Sequence, residues 1–137
     1  MVLDNSVVMR WCFGDGKPAD LAYAGKVLDA LAADSALVPV IWGLEVANVL
    51  SRAEHHALID AAHSASFLTM LQKLRIVTDA AGTEHALTDT LHLARQHLLT
   101  AYDAAYLELA LRERLPLATL DVGLRKAAKQ AAVKLFQ

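Results

Sequence analysis

Cysteine is nearly missing: Cys12 stands alone in 137 residues, which excludes an internal disulfide and a cysteine-based zinc site. A buried, inert thiol is the expectation for it. No uncharged apolar run reaches the roughly 18 residues a membrane span needs. The first strand is expected to begin at Val2 with no signal peptide ahead of it, which points to a cytoplasmic protein without a membrane partner. An excess of basic residues is missing too: the formal net charge is -2, whereas phosphate neutralisation draws on clustered Lys and Arg. Only the stretch from Val122 to Gln137, with Arg125, Lys126, Lys129 and Lys134 and no acid, offers a local basic face. A solvated face of an amphipathic terminal helix explains that stretch equally well. There is no Gly-rich phosphate loop, and Ser6 lacks the glycine-flanked elbow of an acyl-transfer nucleophile. His55, His56, His63, His85, His92 and His97 include no i, i+4 pair of the kind that holds zinc in hydrolases, and are assigned mostly to helix surfaces.

What is present describes a compact globule. Hydrophobic residues make up 55% and charged residues 20%, enough to bury a core and too apolar for disorder. The length suits one domain spanning residues 1–137, with no internal repeat or low-complexity tract. Val2 and Leu3 lead into Asp4 and Val7 and Val8 follow it, the pattern of a short buried strand ending near the acid. Pro18 suits the opening of a helix over 18–33, and Ala36 to Ile41 reads as a second strand ending near Pro39. Helices are predicted over 42–55 and 58–73, with a third strand at 75–78. Thr83 can cap a helix whose Leu87, Leu91, Ala94 and Leu98 follow helical spacing. Thr100 to Asp103 has the spacing of a capping box opening the next helix, which places Ala105, Tyr106, Leu109 and Ala110 on one face. Leu115 to Leu120 is a fourth strand, and Val133 to Phe136 a possible fifth.

Strands alternating with helices imply an α/β fold, a mostly parallel sheet of four to five strands covered on both faces. Right-handed crossovers put the carboxyl ends of parallel strands on one edge, where ligands bind. Asp4, Glu45 and Asp121 fall just past such ends, and Asp103 opens a helix. Polar companions accompany three of them: Ser6 beside Asp4, Asn48 one helical turn after Glu45, and Thr119 two residues before Asp121. Each acid also has a bland reading. Asp103 completes a capping box, Asp121 is an ordinary N-cap, and Glu45 is a solvated helix residue. Asp4 has the weakest such excuse, since an acid in an apolar strand is costly unless compensated. Brought together, the carboxylates would repel and hold a proton unless a divalent cation offset them. Magnesium suits such oxygens, usually taking one or two carboxylates directly and keeping several waters. Phosphodiester hydrolysis is the chemistry this arrangement fits best.

Val2-Leu-Asp4-Asn-Ser6-Val, Glu45-Val-Ala-Asn48, Tyr102-Asp103-Ala-Ala-Tyr-Leu and Leu117-Ala-Thr119-Leu-Asp121, in that order, resemble a PIN-domain ribonuclease. The resemblance is strongest to VapC-type toxins of type II toxin-antitoxin pairs and covers essentially the whole chain. It implies a PIN-like three-layer α/β/α fold and a Mg2+- or Mn2+-dependent endoribonuclease with Asp4, Glu45, Asp103 and Asp121 as the acidic quartet. Ser6 and Thr119 match the family's hydroxyl positions and Asn48 its polar neighbour; Asn5 departs from the small residue common there. The resemblance further implies a homodimer and a VapB-type antitoxin wrapping the helical arm of residues 42–73. Within the quartet, Asp4 and Asp121 read as direct ligands, Asp103 as ligand or neighbour, and Glu45 as orienting water at the metal. Trp11, Tyr102 and Arg10 are candidate RNA contacts. The alternative is a non-catalytic, magnesium-binding receiver-like module, which would want adjacent acids after the first strand and a lysine after the last. The chain has Asp4-Asn5 and no matching lysine. A third reading is an inert partner that only holds its antitoxin and DNA, against which the intact acids argue.

Overall fold

Short apolar runs separated by amphipathic stretches fold here as strands and covering helices, in a computed structural model that describes residues 1–137. In chain order these are β1 (Val2–Leu3), α1 (Asn5–Phe13), α2 (Pro18–Leu31), β2 (Ala36–Pro39), α3 (Trp42–His55), α4 (Ala61–Gln72), β3 (Ile76–Asp79) and α5 (Gly82–His85). A π-helical segment (Ala86–Thr90), α6 (Leu91–His97), α7 (Ala101–Glu113), β4 (Leu117–Ala118) and α8 (Val122–Gln130) complete the chain. Local chemistry sets many of these boundaries. Pro18 opens α2, Asp60 caps α4 by accepting the His63 N–H at 2.8 Å, and Gly14 closes α1 in the left-handed region at φ 62°.

The sheet is four-stranded in the order β3-β2-β1-β4, and every pairing is parallel. All carboxyl ends therefore share one edge. Side chains alternate across a strand, and β1 shows the consequence in two residues. Leu3 joins Val7, Val8, Val27 and Val38 in the core on one face. Val2 joins Tyr106, Leu107, Leu109, Leu117 and Leu124 on the other. Two apolar layers thus sandwich the sheet, the α/β/α arrangement anticipated from the alternation of elements. No helix is long and apolar enough to cross a membrane.

Three local expectations are corrected. Val7 and Val8 do not belong to a strand; both are fully buried in α1, whose Val7, Val8, Met9 and Cys12 form its buried side. Core burial outweighs the modest helix penalty of β-branched residues. Thr83 does not cap a helix: its Oγ1 donates to the Ala80 carbonyl at 3.2 Å, and the helical run is interrupted by the π segment. Leu87, within that turn, is 86% exposed, and Leu98, the left-handed C-cap of α6 at φ 55°, is 92% exposed instead of on a buried stripe. The fifth strand reduces to one parallel bridge between Leu117 and Leu135.

Candidate functional site

Asp4 leaves β1 at the carboxyl edge and is only 6% exposed. Its N–H donates to the Ala118 carbonyl at 3.0 Å, extending the β1–β4 ladder by one rung. The side chain is fixed by two hydroxyls. Ser6 Oγ donates to Asp4 Oδ2 at 2.5 Å and Thr119 Oγ1 donates to the same oxygen at 2.6 Å. Each hydroxyl oxygen in turn accepts a backbone N–H, from Leu120 at 2.9 Å and Asp121 at 3.0 Å respectively. The two companions singled out in the sequence thus orient one carboxylate and lock the chain after β4 against it. Burial pushes the Asp4 carboxyl above its ordinary range; the Ser6 and Thr119 hydrogen bonds oppose that shift, and the charge of Asp103 adds to it.

Glu45 enters from the first turn of α3. Its Oε2 accepts the hydroxyl of Tyr106, which lies on α7. Burial again raises the carboxyl most; the Tyr106 bond lowers it, while Asp4 and Asp103 raise it. Asp103 lies in the first turn of α7, where its N–H donates to Thr100 Oγ1 at 3.1 Å. The cap is one-sided, because the Asp103 carboxylate returns no hydrogen bond to Thr100. Capping therefore accounts for Thr100 and leaves the acid of Asp103 unused. Asp4, Glu45 and Asp103 form one mutually repelling group assembled from three distant segments.

Asp121 stands apart from that group. It is exposed, and its Oδ1 accepts the Leu124 N–H at 2.7 Å as the N-cap of α8. Its charge is absent from the causes that shift Asp4 and Glu45. The capping and ligand readings are separable by substitution. Asp121→Asn should keep α8 capped, whereas Asp121→Ala should cost about 1 kcal/mol in chemical denaturation. A loss of RNA cleavage in Asp121→Asn without loss of stability would assign the charge a role beyond the cap.

Asn48 is exposed and lines a groove between α1 and α3 with Met9, Arg10 and Arg52 rather than bonding to Glu45. Of the candidate RNA contacts, Arg10 is committed to Asp15 at 2.7 Å, and Trp11 donates its indole N–H to the Ala24 carbonyl at 2.8 Å. Tyr102, beside Asp103, is 61% exposed and free. Cys12 is buried, with its thiol pushed up by burial foremost and by Asp15. Tyr106 is the residue the sequence reading passed over, counted there as a packing residue. The available signal was its position three after Asp103, which puts both on one face of a helix.

These donors can be weighed against a divalent cation. No three Asp, Glu, His or Cys side chains lie close enough to enclose an ion, so an all-protein cage is not built. The donor chemistry fits a hydrated ion instead. Glu45 Oε1 and both Asp103 oxygens receive no protein donor, whereas Asp4 Oδ2 and Glu45 Oε2 are occupied. Asn5, next in the chain, adds a buried amide oxygen without a partner. An ion that keeps several waters and takes one or two carboxylates needs no more than this.

Comparison with known proteins agrees with the geometry. No curated protein matches the chain. Among solved structures it is similar to PAE2754 from Pyrobaculum aerophilum, with a TM-score of 0.66 and 22% identity over 92% of this chain and 77% of that one. At that identity the likeness speaks for the fold. A model of the PIN domain matches residues 1–130. With that match spanning nearly all of its length, the chain belongs to the PIN-domain family, whose members are generally metal-dependent nucleases.

Proposed function

We propose that this protein is a Mg2+- or Mn2+-dependent endoribonuclease and the VapC-type toxin of a type II toxin-antitoxin pair. The observation that carries the nuclease reading is the buried Asp4, set in repulsion with Glu45 and Asp103, whose carboxylates keep oxygens without a protein donor. Such a group is costly without a counter-charge and suited to one. Asp4 and Asp103 would hold the cation with Glu45 beside it, and Asp121, whose Oδ1 caps α8, would contribute only through its other oxygen. When bound, the ion supplies Lewis acidity toward a phosphate oxygen and a nucleophile at neutral pH. The chain's own contribution is positional. Ser6 and Thr119 fix one oxygen of Asp4, and Tyr106 fixes one of Glu45, so both carboxylates are held in place before cation or substrate arrives. Glu45, with its raised carboxyl, is placed to accept a proton from the attacking water, and exposed Tyr102 to stack on an unpaired base.

The test is direct. Purified protein incubated with total RNA and magnesium should cut it, chelator should abolish cutting, and Asp103→Asn should lose about a hundredfold or more while keeping its unfolding midpoint. Cleavage that persists in chelator, or full activity of Asp103→Asn, would sink the assignment.

The toxin reading adds a homodimer in the cytoplasm and a VapB-type antitoxin. Its segment would lie in the groove of about 510 Å3 between α1 and α3, floored by Met9, Phe13 and Val49 and flanked by Arg10 and Arg52. Leu44 on α3 and Leu58 just past its end stand exposed on the same arm. An amphipathic segment entering such a groove is an established recognition mode. A co-purified partner should protect the amides of α3 from exchange.

A further inference from the structure

Tyr106 is fully buried, and a buried phenol needs an acceptor. Its hydroxyl has one partner, Glu45 Oε2, a residue 61 positions away in the chain. No other side-chain hydrogen bond joins α3 to the elements carrying Asp4 and Asp103; the only further one that α3 makes is at Glu54, whose Oε1 accepts from the Ser64 hydroxyl of α4. The bond therefore fixes where the Glu45 carboxylate stands against the other two acids. It occupies Oε2 and leaves Oε1 without a protein donor. A pure packing role does not explain the hydroxyl, because phenylalanine would fill the same space without a buried polar atom.

We propose that Tyr106 is a positioning residue of the acidic site: donating to Glu45 Oε2, it holds the Glu45 carboxylate in register with Asp4 and Asp103 for the cation. This inference rests on the metal-dependent nuclease reading above. Outer hydrogen-bond partners of metal-site groups change affinity or rate about 10- to 100-fold when removed.

Tyr106→Phe removes one oxygen and keeps the ring. It should lower kcat on RNA about 10- to 100-fold with KM for RNA unchanged, and weaken Mn2+ binding measured by calorimetry about tenfold. In a Glu45→Ala background the same substitution should change neither quantity, because the residue through which Tyr106 acts is gone. An equal loss in that background would show a structural effect and overturn the proposal. Unchanged Mn2+ affinity in Tyr106→Phe, or no Mn2+ binding by the unsubstituted protein, would overturn it as well. The calorimetric measurement also separates the two ideas: absence of RNA cutting defeats the nuclease reading, whereas Mn2+ affinity decides the part played by Tyr106.

Discussion

Asp4→Asn is expected to reduce RNA cleavage about a thousandfold while leaving the fold intact. Asparagine has the same shape, and its amide oxygen can still accept from Ser6 and Thr119, so the rung between β1 and β4 survives. What disappears is the charge at the centre of the group. The same substitution should make the metal-free protein more stable at neutral pH. The sign follows from the direction of the shift: burial raises the Asp4 carboxyl in the folded state, so the native chain binds the proton more tightly than the unfolded one. Stability is then greatest below the ordinary carboxylate range and declines as pH rises through the raised folded value. Glu45 is shifted the same way, by burial first. Urea unfolding without metal should show the native protein losing ground to Asp4→Asn as pH rises, and magnesium should stabilise the native protein far more than the variant. Unimpaired cleavage by Asp4→Asn would exclude it from the chemistry. An equal magnesium effect on both proteins would place the ion elsewhere.

The largest loss of stability is expected at a distance from that site, in Arg112→Ala, at about 3–5 kcal/mol. Arg112 Nε donates to Glu108 Oε1 at 2.8 Å and its Nη2 to Asp79 Oδ2 at 2.5 Å, tying α7 to the end of β3. Glu108 is only 4% exposed, and the guanidinium is its one charge partner within a close hydrogen bond. Glu108 foremost, and then Asp79, hold Arg112 more firmly protonated than usual against the opposing effect of burial. Removing the cation strands a buried carboxylate, which costs far more than an exposed ion pair is worth. Replacing both partners, Arg112→Met with Glu108→Leu, should recover part of the loss because no unpaired charge stays buried at Glu108. Denaturant midpoints for the single and paired variants would check this; a loss below about 1 kcal/mol in Arg112→Ala would mean that water reaches Glu108.

Much of the architecture was legible because it is local. Pro18 at the start of α2, Thr100 before α7 and the spacing within α3 each act over a few residues. β2 fell where its apolar run predicted, and β3 came within one residue of it. The exceptions share a cause. Val7 and Val8 have strand chemistry, yet burial against α2 and α3 decides for a helix. The π segment at Ala86–Thr90 interrupts a leucine rhythm that reads as regular. Neither packing partner nor register slip is written in a short window of sequence.

By itself the sequence determined a parallel α/β sheet and, with it, that Asp4 and Asp121 follow strands whose carboxyl ends share an edge. That follows from periodicity and the handedness of crossovers. It also marked Ser6 beside Asp4, and it marked Thr119 but set it beside Asp121, whereas the Thr119 hydroxyl donates to Asp4. Only the tertiary structure decided that Asp4, Glu45 and Asp103 act on one another while Asp121 faces solvent as a cap. It also turned Asn48 toward a groove and made Tyr106 the partner of Glu45. The physical reason is distance: electrostatic repulsion and desolvation depend on separation and burial in space, and those exist only once β1, α3 and α7 have packed together.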